Sequence, residues 1–188
     1  MGKLTRYLQH FWRKETGTAA VEFALVVPLM LTLYVGCSEA ASLLTADRKV
    51  QTVSGAMGDL VARANKTITS DQLKDYFDAA TSIMSPYVIS GLTQTVTAVS
   101  VSSTGQTTVL WSVRFADGKY SGTVAEHPKG QPYTLPAETV AIAKGQTVIA
   151  SEARYAYKPL LGIVFKDTFD LNRSALFMPR FGGKIDLS

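Results

Sequence analysis

Twenty mostly apolar residues, Thr18 to Cys37 (TAAVEFALVVPLMLTLYVGC), stand near the start of this 188-residue chain and decide much of what the rest can become. As a helix rising 1.5 Å per residue, such a run spans roughly 30 Å, the thickness of a bilayer's hydrocarbon core. Lys3, Arg6, Arg13 and Lys14 precede it, opposed only by Glu15. A basic flank of this kind is retained on the cytoplasmic side, so the expected topology is a single pass with residues beyond Cys37 outside the cytoplasm. The flank also explains the overall charge of +4 and the pI near 9.2. Without residues 1–17, Lys+Arg falls from 19 to 15 and Asp+Glu from 15 to 14, leaving +1. The basic excess belongs to the N-terminus, and no nucleic-acid partner is expected.

Glu22 does not fit a plain anchor. A carboxylate in an apolar span costs roughly 2.5–3.5 kcal/mol at the helix centre unless it is paired or neutralised. It stands five residues after Gly17, in Gly17-Thr18-Ala19-Ala20-Val21-Glu22-Phe23. That motif resembles the class III signal peptides read by prepilin peptidases. The resemblance implies cleavage after Gly17 on the cytoplasmic side, Thr18 as the new N-terminus and Glu22 as the fifth mature residue. In such proteins the new amine is commonly methylated, and the Glu meets the N-terminus of a neighbouring subunit. An ammonium and a carboxylate can neutralise one another inside a bundle of apolar helices, whereas losing one partner leaves the other buried alone.

The longer run Ala20-Val21-Glu22-Phe23-Ala24-Leu25-Val26-Val27-Pro28 is similar to the signature of TadE-like proteins, components of tight-adherence (Flp-type) pilus systems. The resemblance covers about twenty residues, with a loose match further on through strands and the segment Tyr155–Leu160. It implies a minor pilin or pseudopilin rather than the bulk subunit, which in Flp-type pili is little more than the helix. The implied partners are a prepilin peptidase, other pilin or pseudopilin subunits and the inner-membrane assembly machinery. Gly17 and Thr18 would be the processing site, and Glu22 and Phe23 would serve assembly. The implied location is the inner membrane, single-pass, with the head in the periplasm and an extracellular pilus as a further destination.

Other readings of the same segment stay open. A signal anchor with a stray Glu needs no cleavage. A secretory signal peptide would have a shorter apolar run and a small-x-small site at its end. Tyr34-Val35-Gly36-Cys37 approximates a lipobox, with Tyr where Leu is usual. Pro28 lacks an N–H and disrupts the bond to Ala24, so a helix kink is expected there. Cys37 is the only cysteine, which excludes an intrachain disulfide. It is expected to be a small buried residue rather than a reactive thiol.

Beyond Cys37, Leu43, Ala46, Val50, Val53, Met57, Leu60 and Ala64 recur at steps of three and four, predicting a helix from Thr18 to Ala64. Gly55 and Gly58 weaken it, each by about 1 kcal/mol relative to Ala. Ser70 reads as the N-cap of a second helix, Asp71 to about Met84, with Leu73, Tyr76, Phe77, Ala80 and Met84 on one face. Period-two patterning then predicts strands over Thr93–Ser102, Thr107–Ala116, Lys119–Ala125, Glu138–Ala143, Thr147–Tyr157 and Leu171–Met178. Val109, Trp111, Val113 and Phe115 mark one buried face. Asp117-Gly118 and Lys144-Gly145-Gln146 read as hairpin turns, Glu126–Pro136 as an exposed loop, and Gly182-Gly183 as a flexible end. The expected fold class is α+β and pilin-like: a long N-terminal helix, transmembrane in its first half, packed on an antiparallel sheet head with one additional short helix. The expected organisation is a leader over 1–17, an anchor and assembly helix over 18–64, and an extracytoplasmic head over 65–188.

No nucleophile motif, phosphate-cradling loop or metal-ligand spacing occurs, and His10 and His127 lie on opposite sides of the apolar run. No enzyme activity, cofactor or metal is expected. The sequence-level choice lies between a processed minor pilin, supporting pilus biogenesis, initiation or adhesion, and a permanently anchored envelope scaffold of a secretion or adhesion apparatus. The first requires cleavage after Gly17 and a need for Glu22; the second requires neither.

Overall fold

The computed structural model describes residues 17–122 and 124–188. The basic flank with His10 lies outside the described residues. Helix α1 runs unbroken from Thr18 to Ala62 with Pro28 inside it. The described chain forms two units, residues 17–42 with 159–167, and residues 43–158 with 168–188.

The larger unit is built on five antiparallel strands. After α1 come β1 (Thr67–Ile68), α2 (Ser70–Thr81) with a 3-10 turn over Ser82–Met84, β2 (Leu92–Val101), β3 (Thr107–Ala116) and β4 (Lys119–Ser121). Helix α3 (Ala137–Ile142), β5 (Thr147–Tyr157), β6 (Phe169–Phe177) and β7 (Asp186–Leu187) complete it. The sheet order is β4-β3-β2-β5-β6, and β1 pairs with β7 in parallel. A long apolar helix, an antiparallel sheet and a short helix make this the α+β, pilin-like fold expected.

The apolar stripe on α1 buries Ala46, Val50, Val53 and Met57 against the sheet face carrying Val96, Ala98, Trp111, Val113, Ile149 and Ala153. The next buried position is Val61 rather than Leu60. Helix α2 buries Leu73, Phe77 and Ala80, and Phe77 stacks on Phe115 with centroids 5.3 Å apart.

Four sequence expectations are corrected. The N-cap of α2 is Thr69, not Ser70. Thr69 Oγ1 accepts from Gln72 N, and Gln72 Oε1 accepts from Thr69 N, a reciprocal capping box that Ser70 lacks. Glu138–Ala143 is not a strand, because both edges of β5 are already occupied by β2 and β6; the segment forms α3 instead. With Tyr133 and Leu135, α3 and Ala143 cover the sheet's second face at Val99, Val101 and Val148.

Val109 does not share the face of Trp111. A bulge leaves Ala98 paired with Trp111 and Val99 with Val109, so Leu110 is skipped and Val109 joins the second face. Nor is the C-terminal stretch loose. Ile185 is buried, its carbonyl accepts from Trp111 Nε1 at 2.6 Å, and Ser188 N donates to Ile68 O. The predicted Asp117-Gly118 turn is present, with positive φ at both residues (49° and 73°) as a type I′ hairpin requires.

The end of α1 is tied to the C-terminal segment. Arg180 N donates to Ala62 O, while the Asp59 carboxylate accepts from Arg63 and Arg180 side chains. These guanidiniums, Arg63 first, hold Asp59 below the usual carboxylate range. A depressed pKa contributes stability above the unfolded value, near 3.9, that is lost as pH falls through the folded one. Asp59→Asn is therefore expected to cost up to about 1 kcal/mol at pH 7, the pair being partly exposed. The difference should shrink below about pH 4, as read by urea unfolding across pH.

Candidate functional site

The expected site residues fall on the first turns of α1. Gly17 is exposed, and nothing lies within 4 Å of the position its Cβ would take. Thr18 opens the helix, and Glu22 stands four residues on, one turn further along the same face. Glu22 and Phe23 are exposed, Phe23 to 71%. Among the described residues none pairs with Glu22. The one acid among the apolar residues Thr18–Cys37 thus sits one turn from the position where the expected cleavage would create an amine. Pro28 lies further along, and its carbonyl accepts from Thr32 Oγ1 at 2.8 Å.

Nearly every residue from Thr18 to Leu33 is exposed, including Leu25, Leu29 and Leu31. Helix α1 is long and apolar enough to cross a membrane. Such a surface is unfavourable in water and has to meet lipid or other helices. Cys37 is exposed, which corrects the expectation of a buried thiol. The helix face that turns inward at this level belongs to its neighbours Gly36 and Glu39.

Glu39 is the site residue that sequence reasoning missed. It is 4% exposed. Its carboxylate accepts the backbone N–H groups of Ile163 (3.0 Å), Val164 (3.2 Å) and Phe165 (2.8 Å). A carboxylate that accepts three N–H donors is stabilised in its ionised form. The donors belong to the excursion Pro159–Asp167 between β5 and β6, which turns at Gly162 with φ +62°. The available signal was Leu160-Leu161-Gly162-Ile163-Val164-Phe165, six residues too apolar for an ordinary surface connection.

The head carries a second polar group. Glu152 Oε1 accepts from the Tyr133 hydroxyl at 2.9 Å and lies 3.3 Å from His127 Nε2. Arg154 lies 3.5 Å from the other carboxylate oxygen. Burial, and then the Glu152 charge, push the Tyr133 hydroxyl far above the ordinary tyrosine range, so it acts as a fixed donor. These bonds pin the loop over Glu126–Pro136 to β5 and present no nucleophile paired with a base. Nearby, an open pocket of about 660 Å³ is lined by Trp111, Val124, His127 and Leu187, among others. Among the described residues, no group of three or more His, Cys, Asp or Glu is placed to hold a metal ion.

Residues 17–56 match the family model of the TadE-like proteins. The match covers Gly17, Thr18, Glu22, Phe23 and Pro28, and extends through Glu39 to the part of α1 packed on the sheet. No curated protein and no solved structure matches the chain.

Proposed function

The N-terminal segment of this chain is TadE-like, and from that premise we propose that the protein is a minor pilin or pseudopilin of a Tad (Flp-type) pilus. A prepilin peptidase cuts after Gly17, and Thr18 becomes the N-terminus. Helix α1 then anchors the chain in the inner membrane, with the head in the periplasm, until the helix joins other pilin subunits through the assembly machinery. Its role is structural, in the biogenesis, initiation or adhesion of the pilus. Pro28 bends the anchor, and Phe23 supplies apolar contact beside the charge pair. Leader, anchor helix and head divide at about residues 17 and 64.

The observation that carries this reading is Glu22: an acid without a described partner, exposed on an apolar helix and one turn from Thr18. An anchor has no use for that charge, whereas an assembly helix that must recruit a neighbour's amine does. The separate sheet domain supports a minor component, since the helix alone would suffice for a bulk subunit. A permanently anchored scaffold accounts for the apolar helix but not for the acid.

The test is the intact mass and N-terminal sequence of the protein from its native membrane. Thr18, with or without a methyl group, is the expected first residue. Gly17→Ala should leave the leader attached and the protein at its precursor mass, because the peptidase reads the glycine at the cut. A mature-sized Gly17→Ala protein would sink the processing site, and an uncut wild type in the presence of peptidase would favour the scaffold.

A further inference from the structure

The excursion Pro159–Asp167 presents an unusual surface. Leu160 is 94% exposed, and Leu161, Ile163 and Val164 are exposed beside it. Short loops between strands are ordinarily polar, because their backbone needs water and their side chains need no cover. Here the need is met differently: the N–H groups of Ile163, Val164 and Phe165 turn inward to the Glu39 carboxylate. Val164 also packs at Gly36, 3.6 Å from where a Cβ would stand. Gly36 and Glu39 lie one helical turn apart around Cys37, where the apolar run ends. The loop is thus fastened at the level where a helix with the hydrocarbon core around Thr18–Cys37 emerges from it.

We propose that this loop is a lipid-inserting wedge. Leu160, Leu161, Ile163 and Val164 enter the leaflet into which the C-terminal end of the anchor emerges, and Glu39 holds them beside the helix. The inference rests on reading Thr18–Cys37 as the membrane span. Non-helical backbone reaches membrane depth only where its polar groups are satisfied within the protein, and Glu39 supplies that for three consecutive donors. Lys158 and Lys166 bracket the apolar residues 159–165 in sequence, and with Asp167 following they leave this stretch net cationic, the sign that suits anionic headgroups. A protein partner is the poorer fit, since lysines are depleted from buried protein interfaces. Glu39 is a positioning residue here: it touches no lipid and acts through the backbone it holds.

The test uses the full chain in vesicles of phosphatidylethanolamine and phosphatidylglycerol, in a Cys37→Ser background. An environment-sensitive fluorophore is placed at Leu161→Cys or, as a control for the span, at Leu29→Cys. Quenching by spin-labelled lipids is compared with quenching by aqueous iodide. The label at 161 should be quenched several-fold more by shallow lipid spins than by iodide, and the label at 29 by deep ones. Adding Glu39→Ala should expose position 161 to iodide while position 29 stays protected. A label at 161 open to iodide, with position 29 protected, overturns the wedge and leaves the anchor intact. Protection at 161 that disappears on dilution of protein in lipid also overturns it, assigning the surface to a second copy. If iodide reaches position 29, the span reading fails and the wedge with it.

Discussion

Glu22→Ala should give a protein that is cut normally after Gly17 and recovered in the membrane, yet enters pili at least about 100-fold less efficiently. The magnitude follows from the pair that is lost. Removing one partner of a buried ion pair costs about 3–5 kcal/mol because the other charge stays desolvated, and each 1.4 kcal/mol is tenfold in an equilibrium. Insertion of the single chain should move the opposite way, since the substitution relieves part of the roughly 2.5–3.5 kcal/mol that an acid costs at the centre of a span. An anchor that keeps its place while assembly collapses is the signature of a charge kept for a neighbour. Glu22→Gln should assemble poorly too, because an amide leaves the neighbour's amine without a counter-charge. Co-purification with partner pilins and counts of surface pili provide the readout. Unchanged piliation in Glu22→Ala would remove the charge-pair argument.

Two glycines three residues apart on α1 should respond to alanine in opposite directions. Helix propensity favours alanine over glycine by about 1 kcal/mol at either position. At Gly55 nothing lies within 4 Å of a new Cβ, so Gly55→Ala should stabilise the protein by up to that amount. At Gly58 a Cβ would stand 2.5 Å from Phe177 Cδ2 and 3.1 Å from Ser151 Cβ. Both neighbours belong to the sheet, and Ser151 sits on β5, which is paired on both sides, so the ring has to move while the strand holds. Overpacking of this kind costs about 1–3 kcal/mol, which outweighs the propensity gain. Gly58→Ala should therefore lower the melting temperature by a few degrees, and Gly58→Val should lower it further. Thermal unfolding of the detergent-solubilised chain, followed through tryptophan near-UV ellipticity, measures both. A Gly58→Ala protein as stable as Gly55→Ala would mean that helix and sheet are not in close contact there.

Local chemistry made the anchor, the strands and one turn legible. The twenty-residue apolar run, the three-and-four stripe beyond it and the period-two segments each report how a side chain alternates between core and solvent. A short stretch is enough for that signal. The same holds for Asp117-Gly118, whose backbone preference alone selects a type I′ turn. The residues proposed for processing and assembly could be named from sequence because the proposal rests on spacing along one helix: Gly17, Thr18 and Glu22 keep their relation wherever the rest of the chain goes.

What escaped depended on partners distant in sequence. Glu138–Ala143 has an acceptable strand pattern, but a strand needs a free edge, and β2 and β6 had taken both edges of β5. Val109 lies in perfect alternation with Trp111, yet one skipped residue at Leu110 turns it to the other face, and no composition marks a bulge. Gly58 reads as a weak point in a helix until Phe177 is laid against it. Gly182-Gly183 reads as a loose end until Ile185 is buried beneath Trp111. Glu39 is the clearest instance: 124 residues separate it from Ile163. Only the folded chain brings three N–H groups to its carboxylate, because a closure that long is set by the fold between its ends and not by local chemistry. The sequence by itself determined a long helix, apolar enough in its first half to cross a membrane and carrying one acid, Glu22, in its first turns. The tertiary structure decided which face, edge and loop each later segment would occupy, since those choices are settled by what is already packed beside them.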